Sequence, residues 1–113
     1  MNDFRVRSKV WLEFSGRPFL GDGRYRLLSA VEQAGSINAA AKELGISYRK
    51  AWSQLDAMEQ YAPFPLLERR IGGKGGGATH LTPAARDLLQ NFEKLRESIN
   101  ANADLNFEEI FQP

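Results

Sequence analysis

The stretch GSINAAAKELGISYRKAW, residues 35–52, decides the fold. After Ser36, a residue whose hydroxyl caps helices, Ile37, Ala40, Ala41 and Leu44 recur at helical spacing until Gly45 stops them. Two residues on, Ser47 can cap a further helix that runs to about Tyr61, beyond which Pro63 and Pro65 forbid continuation. Two helices joined so tightly must cross steeply. Ala40 and Ala41 let their backbones approach, and Gly45 tolerates the positive φ that such a turn needs. This is the helix-turn-helix pattern, with Ala51 six residues after Gly45. Any helical hairpin can carry small residues there, so the flanking sequence has to decide what the pair does.

Downstream, Leu66 to Ile71 and Ala78 to Leu81 read as two strands joined by the glycine-rich run from Gly72 to Gly77. A hairpin directly after the third helix predicts a winged helix-turn-helix, with the wing at 66–82 beside the recognition helix at 47–61. Thr82 and Pro83 then suit the cap and first position of a fourth helix to about Ile99. Upstream, Phe4, Val6, Val10, Leu12 and Phe14 alternate with charged residues as in one half-buried strand. Gly16, Pro18, Gly21 and Gly23 read as a loop, and Asp22 as the cap of a first helix ending at Gly35. The expected fold is mainly α with a small β component: an N-terminal strand, a winged helix-turn-helix and a long C-terminal dimerisation helix.

Composition narrows the function. The 113 residues suit one core, burying roughly two thirds of the unfolded surface. There is no membrane-length apolar run and no signal-peptide pattern, so the expected location is cytoplasmic, away from any membrane. Without cysteine and with a single histidine, His80, thiol chemistry, Cys-based zinc and histidine pairs have no parts; neither cofactor nor metal is expected. No carboxylate pair stands out for a hydrolase, and the expectation is a protein that is not an enzyme. The formal charge is only +1, but residues 97–113 hold four acidic and no basic side chains, leaving 1–96 at +5. That balance permits a polyanion partner without requiring one.

On a wheel of residues 48–58, Tyr48, Ala51, Trp52, Leu55 and Met58 form one apolar arc, expected to face the core. Arg49, Lys50, Ser53 and Gln54 lie opposite, as cations and hydrogen-bonding groups suited to a major groove; a merely solvated face is the alternative. Arg49 or Lys50 would meet guanine or phosphate, and Ser53 and Gln54 base edges or phosphates. Ser36 and Ser47 cap helices and can present backbone N–H groups to phosphate, and the Tyr48 hydroxyl can emerge far enough to do the same. The glycine run fails as a Walker loop because Lys74 is followed by Gly75 and then by strand-like residues. As a wing tip it fits: Gly75 lets the backbone follow a groove, Lys74 supplies charge, and Arg69 and Arg70 stand at its base. A flexible turn is the plainer reading, and His80 is expected as a structural or surface residue of the returning strand.

GDGRYRLL at 21–28, the helix-turn-helix block at 35–52, Pro65 to Glu68, GGKGGGA at 72–78 and LTPAA at 81–85 follow one another in order. Together they make the region from about Leu12 to Leu89 resemble the N-terminal winged-helix domain of the ModE family, the molybdate-responsive transcription regulators. The helix-turn-helix alone fits LysR-type regulators equally well. The resemblance implies a dimeric protein whose third helix and wing contact double-stranded DNA. Family members that sense molybdate bind it in an additional C-terminal domain, for which 113 residues leave no length, so molybdate binding is not carried over. The expectation is a stand-alone regulator, or one served by an effector-sensing partner chain; a shortened piece of a longer protein would read the same.

In the fourth helix, Ala85, Leu88, Phe92, Leu95 and Ile99 alternate spacings of 3 and 4, a heptad seam that favours a homodimer; packing on the chain's own first helix is the alternative. The expected division is a winged-helix domain at 1–101, including a dimerisation helix at 83–101, and an acidic tail at 102–113. The competing function is a winged helix used for protein–protein recognition, with the fourth helix and the apolar acidic tail as its docking surface.

Overall fold

The computed structural model describes residues 3–73 and 76–111, and side chains for all of these outside 71–77. Its elements are β1 (Leu12–Phe14), β2 (Arg17–Leu20), α1 (Asp22–Ala34), α2 (Ile37–Leu44), α3 (Tyr48–Tyr61), β3 (Leu67–Gly73), β4 (Gly76–Leu81) and α4 (Pro83–Phe111). The order is that of a winged helix-turn-helix, mainly helical, with two separate antiparallel hairpins. Among the described residues no helix is long and apolar enough to cross a membrane.

The core sits where the helices cross. Ala40, Ala41 and Ala51 are fully buried between α2 and α3, and Leu27, Leu28, Val31, Leu55 and Met58 surround them. Small residues at the crossing bring the backbones close, and the larger apolar side chains then fill the space on either side. Gly45 adopts a φ of 70°, and the N–H of Ile46 reaches back to the Ala41 carbonyl at 3.0 Å, closing α2 with a left-handed cap.

Three expectations fail at the ends of elements. The alternation from Phe4 to Phe14 forms a strand only at Leu12–Phe14, because only there, among the described residues, does a partner strand lie alongside; Arg17–Leu20, expected as loop, is that partner. Ser15 and Gly16 have φ of 53° and 77°, the paired positive values of a two-residue hairpin turn. Residue 22 is the first of α1 rather than its cap; Gly21 precedes the helix in extended conformation. The fourth helix does not stop near Ile99 but continues to Phe111, through most of what reads as a tail. Residues 100–111 contain neither glycine nor proline, so the end of the heptad pattern is not an end of helix. At 29 residues α4 is about 43 Å long. The segment before β1 lies back along it, with Ser8 hydrogen-bonded to Asn100 and the Phe4 ring 6.4 Å from that of Phe111.

Polar ties fix the wing and α4 to the body. Glu59, near the end of α3, accepts from the backbone N–H groups of Leu66 and Leu67 at 3.0 and 2.7 Å. Thr82 caps α4 by accepting from Ala85 N–H at 3.1 Å while donating to the Pro65 carbonyl at 2.7 Å. Glu32 of α1 accepts from Leu81 N–H and from Arg86, both at 2.9 Å, with His80 Nδ1 at 3.7 Å. Burial opposes ionisation of Glu32, but the Leu81 N–H, the Arg86 hydrogen bond and the charges of Arg86 and His80 outweigh it, so its carboxyl titrates below the ordinary glutamate value. Asp22 and Arg96, 2.7 Å apart, join the start of α1 to α4.

Candidate nucleic-acid interface

Both expected cap serines act as caps. Ser36 Oγ accepts from Ala39 N–H and Ser47 Oγ from Lys50 N–H, each at 3.0 Å. The second bond starts α3 cleanly two residues after the Gly45 turn, which places Arg49 and Lys50 in its first turn. Burial on α3 falls on Ala51, Leu55 and Met58; Arg49, Lys50 and Ser53 are exposed and Gln54 is half-buried. The polar residues therefore share the solvent side of the helix, as their spacing predicts.

Tyr48 and Trp52 depart from the expected inward position, being 51% and 37% exposed. At 100° per residue Trp52 lies roughly 90° from the centre of the buried arc, on its rim, and the rim is uncovered at this end of α3. The consequence is an aromatic ledge beside the cations. The Arg69 guanidinium stands over the Trp52 ring at 5.5 Å, so the wing strand and the recognition helix meet at a cation–π contact. Trp52 is thus a candidate interface residue that the wheel assigned to the core. Trp52 stands at the edge of that arc, where the placing of neighbouring elements and not spacing decides whether a side chain is covered.

Two shallow grooves border α3. One, on the wing side, is lined by Tyr48, Arg49, Trp52, Ser53 and Asp56. The other, towards α1, brings Arg26 and Gly23 beside Lys50 and Gln54. Arg26 was not legible as an interface residue, because spacing within one helix cannot report what a second helix places next to it. Arg69 and Arg70 are exposed on β3, as expected of the wing base, while Lys74 and Gly75 lie outside the described residues. Among the described residues, none of Arg26, Arg49, Lys50, Arg69 and Arg70 takes part in an ion pair. The two grooves are lined by three cations, Arg26, Arg49 and Lys50, and one acidic side chain, Asp56, whose carboxylate accepts from Gln60 at 3.1 Å.

The heptad seam of α4 divides. Ala85 and Phe92 are buried in the chain's own core, and Leu88 packs against it half-buried. The Phe92 ring meets Tyr25 of α1 at 5.7 Å, so the alternative of packing on the first helix applies to this half. Leu95 and Ile99, one on either side of Arg96 and its bond to Asp22, are 41% and 38% exposed.

The family described as bacterial regulatory helix-turn-helix protein, lysR family, matches residues 23–86, from the first turn of α1 to the first turn of α4. A transcriptional regulator ModE of Haemophilus influenzae is 49% identical over 80 residues, 71% of this chain and 31% of its own. A molybdenum transport protein ModE of Azotobacter vinelandii is 46% identical over 95 residues, covering 84% of this chain and 35% of its own. The chain thus spans about a third of the length of the curated relatives it matches. Among solved structures, the CbnR DBD–DNA complex superposes with a TM-score of 0.55 and 27% identity, over 74% of this chain and 91% of that one.

Proposed function

The chain belongs to the lysR family of bacterial regulatory helix-turn-helix proteins, and from that premise we propose that it is a sequence-specific DNA-binding transcription regulator of ModE type, without catalytic activity of its own. The observation that carries the reading is the solvent face of α3. Arg49, Lys50, Ser53 and Gln54 stand in its first two turns, without an ion pair among the described residues, with Trp52 and Arg69 joining them to the wing. A helix presents such a face to the acceptor-rich edges of a major groove, while cations on a flanking hairpin neutralise phosphates. The partner is double-stranded DNA, and the place of action is the bacterial cytoplasm where that DNA lies.

The protein acts as a homodimer through the distal half of α4. Leu95 and Ile99 continue the heptad register past the body, and a second copy of α4 would cover them. Two recognition helices then address successive major-groove faces about 34 Å apart, which calls for a near-palindromic site.

Selection from a random 40-base-pair duplex library tests the reading. The expected outcome is enrichment of one motif with two inverted half-sites centred about one helical turn apart. A library that stays unenriched after repeated rounds would overturn it in favour of a winged helix that recognises protein, the role suggested by the apolar residues Leu105, Ile110 and Phe111 exposed on α4.

A further inference from the structure

The two cations that open α3 do not share a groove. Arg49 lines the wing-side groove with Tyr48, Trp52 and Ser53. Lys50 lines the opposite one, where α1 contributes Gly23 and Arg26, and Gln54 stands one turn further along α3. Resting on the DNA-binding reading, we propose that this second groove is a phosphate clamp: Arg26 and Lys50, from two different helices, grip one backbone phosphodiester of the duplex, and Gln54 donates an amide hydrogen bond to it. Sequence readout by α3 then falls to Arg49 and Ser53.

Three features support the division. Arg26 and Lys50 are exposed, and among the described residues neither is in an ion pair, so two like charges face one groove with nothing between them to neutralise them. That juxtaposition is repulsive in the free protein and is relieved by an anion, which both steers and orients a polyanion. The groove has no acidic side chain on its lining, whereas the wing-side groove carries Asp56. A carboxylate repels phosphate but accepts from a base amino group, so the acidic groove suits base edges and the purely basic one suits the backbone. Arg26 sits directly before the buried Leu27 and Leu28, which fix α1 in the core, so its position relative to α3 is set by packing.

The clamp also explains how a helix with two adjacent cations can discriminate. A cation held on phosphate carries no sequence information but sets register, leaving its neighbour to read one base. Arg49, with a planar fork of donors, suits guanine; Lys50, a point charge, suits a phosphodiester.

The test measures affinity of full-length protein by fluorescence anisotropy across a salt series, for a duplex selected from the random library and for a scrambled duplex. Variants are Arg26→Ala, Arg26→Lys, Lys50→Ala and Arg49→Ala, each checked by circular dichroism. Arg26→Ala and Lys50→Ala are expected to weaken both duplexes by the same factor, about fivefold, and to lower the slope of log affinity against log salt by about one. Arg26→Lys should restore the slope, and Arg49→Ala should reduce selectivity while largely sparing the scrambled duplex. Wild-type binding with Arg26→Ala unchanged in affinity and slope would overturn the clamp alone, as would a Lys50→Ala effect confined to the selected duplex. Wild-type protein that binds neither duplex would overturn the DNA-binding reading and the clamp with it.

Discussion

The two halves of α4 have the same apolar rhythm and opposite surroundings. From Ala85 to Phe92 the helix lies in the groove made by α1 and the wing, and its apolar residues are largely buried. From Leu95 onward comparable residues at comparable spacing are exposed, and the neighbours among the described residues are the start of α1, through Asp22 and Arg96, and the extended segment from Phe4 to Ser8. Periodicity announces that a helix has an apolar side; it does not announce what covers that side. The first half stabilises one protomer, and the second is assigned above to joining two.

Substitutions at equivalent positions put the largest weight on that contrast. Phe92→Ala should destabilise folding by about 3–5 kcal/mol, because a fully buried ring leaves a cavity that its neighbours cannot close. Ile99→Asp should leave the denaturant midpoint of dilute protein nearly unchanged while abolishing self-association in sedimentation at tens of micromolar. A monomeric wild type, or equal losses of stability from both, would remove the distinction.

Arg86 and Glu32 test the bonded half more finely. Glu32→Gln should cost about 1–3 kcal/mol, since it weakens a charge-assisted bond to the Leu81 N–H and removes the pair with Arg86. Because the folded carboxyl titrates below its unfolded value, this stability is fully present above the unfolded pKa and is lost as pH falls through the folded one. Thermal midpoints of wild type and variant should therefore separate at neutral pH and converge in the acid range below the ordinary glutamate pKa; a constant gap would contradict the assignment. Glu59→Gln should act similarly at the wing base, by about 1–2 kcal/mol, with faster amide exchange at Leu66 and Leu67. The smallest effect is expected at the start of α3, where Ser47→Ala removes one cap bond for about 1 kcal/mol, read from the urea midpoint.

What was legible from sequence follows the same contrast. The helix-turn-helix was readable because its determinants are local: caps at Ser36 and Ser47, small residues at the crossing, a glycine at the turn. The wing was readable as a hairpin because strands, glycines and Thr82 follow one another without interruption, although its strands reach Gly73 and start at Gly76, further into the glycine run than expected. The outer polar face of α3 was equally plain. Three things were not. The pairing of Leu12–Phe14 with Arg17–Leu20 depends on a turn with positive φ at Ser15, a residue that does not advertise it. The extension of α4 to Phe111 was missed although Ala103, Phe107 and Phe111 continue at helical spacing, because the acidic, lysine- and arginine-free composition of that stretch reads as a tail. The exposure of Trp52 and the approach of Arg26 to Lys50 depend on how α1, α3 and the wing are placed, which is a property of tertiary packing.

The central claim is that the exposed face of α3 reads sequence. Its most direct measurement is the ratio of dissociation constants for the library-selected and scrambled duplexes at one fixed salt concentration, for wild type and Arg49→Ala. The account predicts a wild-type ratio of at least about a thousand, and a loss of about 1–3 kcal/mol of that discrimination in the variant. Equal affinity for the two duplexes, or a ratio indifferent to Arg49→Ala, would contradict it.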